Sequence, residues 1–188
     1  MMTASTKPLE LYLIRHGQTE WNVADKMQGW LDSPLTARGK SQLDRVCWPA
    51  FGAIYCSDLG RAMASARRIA RRQKTLIIAD ARLRERYFGT LQGKAIPTTA
   101  HGALGCAYQQ RDWLQLHALA QVEPEATLWA RIQSWLGSAR KRHRFDDRPI
   151  AVVTHGEWIH TFLQHYQPAR QASRLFANGQ TLALNFKE

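Results

Sequence analysis

Two short apolar segments that each end on a histidine and a glycine constrain the fold most strongly. Residues 11–17 read LYLIRHG and residues 150–156 read IAVVTHG. Both runs are nearly continuous in apolar character, which is typical of strands that are covered on both faces of a parallel sheet. In open parallel sheets the ligand crevice lies at the carboxyl ends of the strands. We therefore expect Arg15, His16 and His155 to project from strand ends into one crevice.

Further strand-like and helix-like segments alternate along the chain. Strands are predicted at 9–14, 53–56, 75–79, 149–154 and 181–186, where short runs are rich in branched and aromatic residues. Helices are predicted at 36–47, 58–72, 107–121, 126–142 and 157–166. Thr36 is the expected cap of the first of these helices, and Ser57 or Asp58 that of the second. The alternation predicts an α/β layer fold with a mainly parallel sheet and right-handed crossovers.

The length and composition of the chain predict a single domain. A chain of 188 residues with 45% hydrophobic content is long enough for one well-formed core. We expect residues 1–8 to be a disordered N-terminus and residues 9–188 to form the domain. Residues 88–125 carry no strand signal, so they are predicted to form a short helical excursion over one end of the sheet.

The charge of the chain indicates an anionic ligand. Lys and Arg number 26 against 15 Asp and Glu, which gives a net charge of +11. Such a surface attracts phosphorylated molecules, nucleic acid or acidic lipid. Much of the excess lies at 67–74 and 139–144, where cations near helix C-termini on a solvated face are a better explanation than a nucleic-acid patch. We therefore do not expect a nucleic-acid partner.

The cysteines and the N-terminal sequence indicate a reducing, cytoplasmic location. Cys47, Cys56 and Cys106 are odd in number and form no CxxC pair, so neither a disulfide framework nor a zinc site is predicted. The first residues, MMTASTKP, contain no apolar leader segment, and no run of 18 apolar residues occurs. We expect no membrane partner, and the sequence does not predict the oligomeric state.

A third strand end adds a further cation to the predicted crevice. The segment SDLGRA at 57–62 follows a predicted strand and places Arg61 in the first turn of the next helix. One such arginine alone is more often part of a surface ion pair. Together with the other three side chains, however, it forms a group that is stable only around a strong anion. A phosphoryl group fits, because arginine binds it through two hydrogen bonds and neutral histidine can attack it. The pair His101–Gly102 follows a poor strand and is predicted to be a surface loop.

The motifs taken together resemble the histidine phosphatase superfamily in its phosphoglycerate mutase-like branch. The segments LYLIRHGQTEWN, QGWLDSPLTARGKSQ, SDLGRA, RLRERYFGTLQGK and VVTHG carry the resemblance, over about residues 9–93 and 149–186. It implies a three-layer αβα fold and a phosphohistidine intermediate on His16. It also implies a proton donor at Glu85. The phosphate-binding residues that it implies are Arg15, Asn22, Arg61 and His155, with Gln28 and Thr19 lining the pocket.

The expected mechanism requires neither a metal nor a cofactor. Surrounding cations keep His16 neutral, while Arg15, Arg61 and a protonated His155 hold the phosphoryl oxygens. The sequence contains no HExxH motif, no DxD cluster and no paired carboxylates with ligand spacing. Glu85 has an alternative interpretation as a surface carboxylate paired with a neighbouring arginine, namely Arg82, Arg84 or Arg86.

Several departures from the family pattern bear on the substrate. Residues 94–125 form a short insertion that offers only Lys94 and Arg111, whereas the mutases of the family have a longer insertion that grips a substrate carboxylate. VEPEAT replaces a glycine-rich segment, and Cys56 replaces a common serine. Glu157 adds a carboxylate near the pocket that is expected to repel very acidic substrates. Four aromatic residues line the entrance or belong to the core, two interpretations that stay open here: Trp21, Trp30, Phe88 and Trp158.

The function predicted from the sequence is that of a metal-independent phosphomonoesterase that hydrolyses a small phosphorylated metabolite. Phosphoglycerate mutase-type phosphoryl transfer is the alternative within the same chemistry. A non-catalytic protein that binds a phosphorylated ligand or nucleic acid is the alternative from another class.

Overall fold

The computed structural model describes residues 8–71, 73–97, 101–167 and 176–186. The predicted disordered tail falls outside these residues, apart from Pro8. The described strands are β1 (Leu9–Arg15), β2 (Ala53–Cys56), β3 (Ile77–Ala79), β4 (Ile150–Thr154) and β5 (Thr181–Phe186). The helices within the same ranges are α1 (Glu20–Val23), α2 (Ala37–Asp44), α3 (Gly60–Ala70), α4 (Gly102–Gln110), α5 (Trp113–Ala120), α6 (Glu125–His143) and α7 (Gly156–Tyr166).

The five strands form one sheet in the order β3-β2-β4-β1-β5. The first four run parallel, and β5 pairs antiparallel with β1 at the edge. The register pairs Arg15 with Thr154 and Cys56 with Val153, so β1, β2 and β4 end at the same edge of the sheet. The predicted α/β class with a mainly parallel sheet is therefore confirmed.

Helices cover both faces of the sheet because successive residues of the central strands point to opposite sides. On one face, Leu11 and Leu13 of β1 pack in a cluster with the buried faces of α6 and α7. On the other face, Ile14 packs with residues of α2 and α3. The helix face predicted to be core in 126–142 is buried as expected; it consists of Leu128, Ile132, Trp135, Leu136 and Ala139. The predicted three layers are thus confirmed.

The helix predicted at 107–121 is wrong as a single element. It consists of α4 and α5, which are separated where Arg111 adopts a left-handed conformation with φ 56°. The side chain of Asp112 then accepts a hydrogen bond from the amide of Gln115 and caps α5. The left-handed backbone at Arg111 therefore ends α4, and α5 begins at its own cap, Asp112.

Two local predictions near α3 and α4 need correction. The N-cap of α3 is Leu59, whose side chain has no polar atom to make a capping bond, and Asp58 is paired with Arg84. The hydroxyl of Ser57 accepts a hydrogen bond from the amide of Leu59 at 3.3 Å, one position short of the helix. His101 is exposed as predicted, but Gly102 is already the first residue of α4, so the pair does not form a loop. The Thr36 cap of α2 is confirmed.

Among the aromatic residues left open by the sequence, Trp158 belongs to the core and Phe88 lines the pocket, whereas Trp21 and Trp30 do not line it. Trp158 is fully buried between the sheet and α6, where it contacts Trp135 edge to face. Phe88 lines the pocket described below, whereas Trp30 is 39% exposed. None of the helices in the described ranges has the length and apolar character needed to cross a membrane.

Candidate active site

The carboxyl edge of the sheet brings the two predicted His-Gly segments together. The amide of His16 donates to the carbonyl of Thr154 at 3.0 Å, which continues the β1–β4 pairing beyond the last strand residues. The rings of His16 and His155 consequently lie with their centroids 5.1 Å apart. The sequence prediction that these histidines meet at one edge is confirmed.

The glycine after His16 is required by a close backbone approach. A Cβ atom at Gly17 would lie 2.3 Å from the carbonyl oxygen of Gly39, and one at Gly39 would lie 2.0 Å from the carbonyl oxygen of Gln18. Neither position has room for a side chain. The amide of Gly17 also donates to the hydroxyl of Ser65 at 3.1 Å. These contacts fix the backbone that carries His16.

The environment of His16 holds its ring in one tautomer. Nδ1 lies 2.8 Å from the carbonyl oxygen of Gly17, which can only accept, so Nδ1 carries the proton. Nε2 accepts a hydrogen bond from Nε of Arg61 at 3.3 Å. Burial lowers the pKa of His16 well below 6.5, and the charges of Arg61 and Arg15 lower it further. His16 therefore presents an unprotonated Nε2 at neutral pH.

Arg61 is buried and is held on every side of its guanidinium group. Its terminal nitrogens donate to the carbonyl oxygens of Leu31 at 2.8 Å and Gly29 at 2.7 Å. Asp32 accepts from the Arg61 amide at 3.1 Å and from Nη1 at 3.2 Å. Only Nε is directed at a catalytic candidate, so Arg61 acts on His16 from a fixed position.

A pocket opens at this edge, and we call it the histidine pocket. It has a volume of about 90 Å³, which is roughly three times the share of one water molecule in the liquid, ~30 Å³. Its lining residues are Arg15, His16, Asn22, Lys26, Met27, Gln28, Gly29, Arg61, Glu85, Phe88, Ile96, Tyr108, Gly156 and Glu157. A phosphoryl group fits this space, whereas a large leaving group would extend out of it.

Several buried polar atoms in and behind the histidine pocket have no hydrogen-bond partner among the described residues. They are Nε of Arg15, Oε1 of Gln28 and both ring nitrogens of His155. Buried polar groups are nearly always paired, so a cluster of exceptions needs an explanation. An anion with several acceptor oxygens would supply partners for the arginine and the histidine.

His155 does not support the predicted protonated form in the free site. Burial lowers its pKa well below 6.5, with further lowering by the charge of Arg61 and by His16. The ring is fully buried and no carboxylate contacts it to stabilise a proton. A neutral His155 still has one N–H group that can donate to a phosphoryl oxygen.

Asn22 and Thr19 have different roles in the structure. Oδ1 of Asn22 accepts from the amide of Thr19 at 3.1 Å, from the Thr19 hydroxyl at 3.0 Å and from Nδ2 of Asn178 at 3.1 Å. Its Nδ2 is then the group available to a ligand. Thr19 was expected to line the pocket, but it is fully buried and caps α1. It can therefore act on a ligand only by holding Asn22.

Glu85 lies inside the histidine pocket and is not a surface carboxylate. The three neighbouring arginines have other partners: Arg82 pairs with Asp80, Arg84 with Asp58 and Arg86 with Glu125. The carboxylate of Glu85 instead accepts from the backbone amides of Arg86 at 2.9 Å and Glu157 at 3.1 Å. The alternative interpretation of Glu85 as a partner of these arginines is therefore wrong.

The surroundings of Glu85 favour its protonated form. Burial raises its pKa above the ordinary value of 4.5, and the carboxylate of Glu157 raises it further. The backbone amide of Arg86 and the charges of Arg61 and Arg15 act in the opposite direction. A carboxyl group with a raised pKa can serve as a general acid.

Sequence reasoning missed the residue that holds the Glu85 segment in place. Arg131 of α6 donates to the carbonyl oxygens of Arg82 at 2.9 Å, Arg84 at 2.6 Å and Glu85 at 2.9 Å. Glu123 pairs with this arginine and also accepts from the amide of Tyr87 at 3.1 Å. Nothing in the sequence distinguishes Arg131 from other cations of a solvated helix.

Asn178 was missed as well, although a signal for it exists. Its Nδ2 reaches Asn22 and, at 3.3 Å, the carbonyl oxygen of His16. It precedes Gly179, which has φ 72°, and an Asn-Gly pair before a strand is typical of a turn. The turn was thus predictable, but its contact with the pocket was not.

The described residues form no site that could hold a metal ion. No three His, Cys, Asp or Glu side chains in those ranges lie together in a suitable arrangement. The polar groups of the histidine pocket are dominated by donors such as Arg15, Lys26 and Arg61, and this donor set suits an anion better than a cation.

The fold and the pocket define an α/β protein with an anion site at the carboxyl edge of a parallel sheet, built around an unprotonated histidine. The chain belongs to the histidine phosphatase superfamily, branch 1, whose family model matches residues 11–186. The resemblance predicted from the motifs is confirmed. The superfamily includes phosphatases and mutases, which indicates an enzyme of phosphoryl transfer.

Three known proteins illustrate what this chain is similar to. A probable phosphoglycerate mutase GpmB from Proteus mirabilis is 46% identical over 94 residues, which cover 48% of this chain and 44% of that protein. The chain thus matches less than half the length of that relative. A phosphoglycerate mutase from Bacillus anthracis has a TM-score of 0.83 at 23% identity, covering 97% of this chain and 90% of that one. At that identity the likeness shows the fold alone.

A mycobacterial glucosyl-3-phosphoglycerate phosphatase, solved with VO3, is the third comparison. Its TM-score is 0.74 at 26% identity, and the match covers 93% of this chain and 92% of that chain. The family therefore includes members named as mutases and members named as phosphatases, all similar to this chain.

Proposed function

We propose that this chain is a metal-independent phosphomonoesterase that works through a phosphohistidine on His16. The observation that carries the proposal is the state of His16 in the structure. Its Nδ1 proton is held by a backbone carbonyl, its Nε2 is unprotonated, and that nitrogen lies in a pocket of about 90 Å³ beside Arg15 and Arg61. A histidine so arranged is an activated nucleophile for phosphorus.

In the first step, Nε2 of His16 attacks the phosphorus atom and the bond from phosphorus to the ester oxygen breaks. The positive charges of Arg15 and Arg61 stabilise the negative charge that is spread over the phosphoryl oxygens. Neutral His155 and Nδ2 of Asn22 donate hydrogen bonds to the same oxygens. Glu85 gives its proton to the departing oxygen, so the first product leaves as an alcohol.

In the second step, a water molecule attacks the phosphorus atom of the phosphohistidine and the phosphorus–nitrogen bond breaks. Glu85, now a carboxylate, accepts a proton from that water. Inorganic phosphate leaves, and His16 and Glu85 return to their starting forms. Two in-line displacements thus use the same acid–base group in opposite directions.

Hydrolysis is favoured over mutase chemistry by the groups at the pocket mouth. A mutase must hold the remainder of its substrate during both transfers, and the two cations of the insertion do not offer such a grip. Lys94 is exposed and does not line the pocket, while Arg111 is paired with Glu157. The name of the Proteus mirabilis relative keeps mutase activity as the second candidate. Transfer of labelled phosphate to a second phosphoglycerate molecule, in place of water, would establish it.

The activity is expected to be independent of divalent metal ions. Hydrolysis of p-nitrophenyl phosphate should be unchanged in EDTA, because Arg15 and Arg61 supply the positive charge that metal ions supply in other phosphoryl-transfer enzymes. Initial rates with and without chelator are the measurement. Complete loss in EDTA with recovery on addition of a divalent ion would overturn the mechanism.

The pH dependence of kcat/KM is expected to have two limbs. The rate should rise with pH as His16 loses its proton, at a pKa below 6.5, because only the neutral ring attacks. It should fall as Glu85 ionises, at a pKa above 4.5, because only the protonated acid serves the leaving group. The profile should be recorded with an alkyl phosphate. A falling limb that persists unchanged in Glu85→Gln would assign that limb to another group.

A further inference from the structure

The pocket wall formed by α4 and α7 contains a carboxylate that is already bound to a cation. Glu157 lines the histidine pocket, and its side chain is only 9% exposed. Nη1 of Arg111 donates to its Oε1 at 3.0 Å, and Nη2 donates to its Oε2. The pair is thus held by two parallel hydrogen bonds, the strongest geometry for an arginine and a carboxylate.

Arg111 is kept in position by contacts that do not depend on Glu157. Its guanidinium carbon lies 4.9 Å from the centre of the Trp113 ring, and Nη2 lies 3.1 Å from Nδ1 of His160. The left-handed backbone at Arg111 sets the direction from which the side chain leaves the chain. Loss of the carboxylate would therefore leave a positive charge at the same place.

The arrangement gives the wall its electrostatic character. Among the described residues that line the pocket, Arg15, Lys26 and Arg61 are cationic and Glu157 is a carboxylate. Burial raises the pKa of the Glu85 carboxyl group and favours its neutral form. Tyr108 also faces Glu157, and burial raises the pKa of its hydroxyl to about 12, so it stays neutral. An anion that enters beside Glu157 therefore meets a carboxylate, and the positive charge of Arg111 is already paired with that carboxylate.

We infer that Glu157 takes the place of a second anionic group of the substrate at Arg111. The protein then selects phosphomonoesters whose remainder carries no negative charge near the phosphoryl group. This inference rests on the proposed function, since it specifies the substrate class of the same site. It assigns Glu157 and Arg111 as residues that determine specificity.

The test uses two substrates that differ by one charged group. Glycerol 3-phosphate and 3-phosphoglycerate are matched, except that a hydroxymethyl group of the first is a carboxylate in the second. The wild type should prefer glycerol 3-phosphate. In Glu157→Gln the ratio of the two kcat/KM values should shift toward 3-phosphoglycerate by about tenfold or more, which corresponds to about 1.4 kcal/mol. Any effect on Glu85 cancels in the ratio, because both leaving groups are alkyl alcohols.

Two further variants identify the cause of the shift. Adding Arg111→Gln to Glu157→Gln should remove the gain for 3-phosphoglycerate, because the released cation is then absent. Asp44→Asn is the matched control, since it also removes one carboxylate that pairs with an arginine, Arg68, but outside the histidine pocket. Its ratio should equal that of the wild type. If the ratio of the two kcat/KM values is unchanged in Glu157→Gln but changes in Lys26→Gln, the inference is overturned and the selection is assigned to Lys26.

A binding measurement separates this inference from the proposed function. The two ligands are titrated by calorimetry into His16→Ala and into the same protein with Glu157→Gln, where turnover is not needed. A shift in binding preference toward 3-phosphoglycerate, with no hydrolysis by the wild type, would support the specificity role and refute the phosphatase. Hydrolysis by the wild type with unchanged ratios in binding and turnover would refute only the specificity role. If neither ligand binds, the specificity role is refuted, and hydrolysis of p-nitrophenyl phosphate by the wild type decides the phosphatase separately.

Discussion

His16→Ala is expected to abolish turnover and to abolish covalent labelling of the protein by phosphate from the substrate. Removal of the nucleophile in another enzyme with a covalent intermediate lowers kcat by roughly a million-fold, and we expect a loss on that order here. The reason is that His16 is the one histidine among the described residues that line the histidine pocket, and its Nε2 is unprotonated. Labelling is measured after a quench without acid, because acid hydrolyses phosphohistidine.

The fold should survive this substitution. His16 lies at the end of β1 and belongs to none of the hydrophobic clusters that pack the two faces of the sheet. Circular dichroism and thermal unfolding should therefore resemble those of the wild type. His101→Ala is the matched control, since this histidine is exposed, precedes α4 and is not among the residues that line the pocket. A labelled His16→Ala protein would refute the nucleophile, and an unlabelled, inactive wild type would indicate a binding protein.

Glu85→Gln is expected to slow the cleavage of alkyl phosphates far more than that of p-nitrophenyl phosphate. General acids typically contribute about 10²–10⁴-fold, and p-nitrophenolate leaves readily without a proton. The rate defect should therefore increase with the basicity of the leaving group. Glutamine keeps the size of the side chain and can still accept hydrogen bonds from the amides of Arg86 and Glu157. A purely structural role would give similar defects for every substrate.

The second step complicates the steady-state rates of this variant. Glu85 also serves as the base when water attacks the phosphohistidine, so p-nitrophenyl phosphate is expected to give a burst followed by slow turnover. Rapid-quench measurement of the first turnover isolates the acid step. Equal first-turnover defects for alkyl and aryl substrates would leave Glu85 as a structural residue. Glu20→Gln, an exposed glutamate on α1, is the control and should show neither effect.

The sequence correctly predicted the position of those site residues that follow strands. Arg15, His16 and His155 directly follow apolar runs, and parallel strands bring such residues to one edge wherever the helices lie. Arg61 follows in the same way from the strand before it. The periodicity of α6 likewise predicted its buried face, because burial and helical spacing are linked.

The rest depended on contacts between residues far apart in the chain. Arg131 reaches the carbonyl oxygens of Arg82 and Glu85, 49 and 46 positions away. The pairing of Arg111 with Glu157 requires the break between α4 and α5, which the sequence reasoning did not predict. The protonated form expected for His155 is not favoured in the free site, because burial lowers the pKa of this ring, and the degree of burial cannot be read from a His-Gly pair.

The helices α4 and α5 have a hydrophobic cluster of their own, separate from the two clusters on the sheet. Ala107, Leu116 and Ala120 pack there against Phe88 and Leu91. The residues proposed to bind the phosphoryl group, by contrast, stand on the ends of strands, on α1 and on α3. The helix pair can therefore accumulate substitutions, or be lengthened at its joint, without disturbing the core that aligns His16 and Arg61. New substrate preferences can therefore arise through changes in α4 and α5, while the residues proposed to carry out the chemistry stay the same.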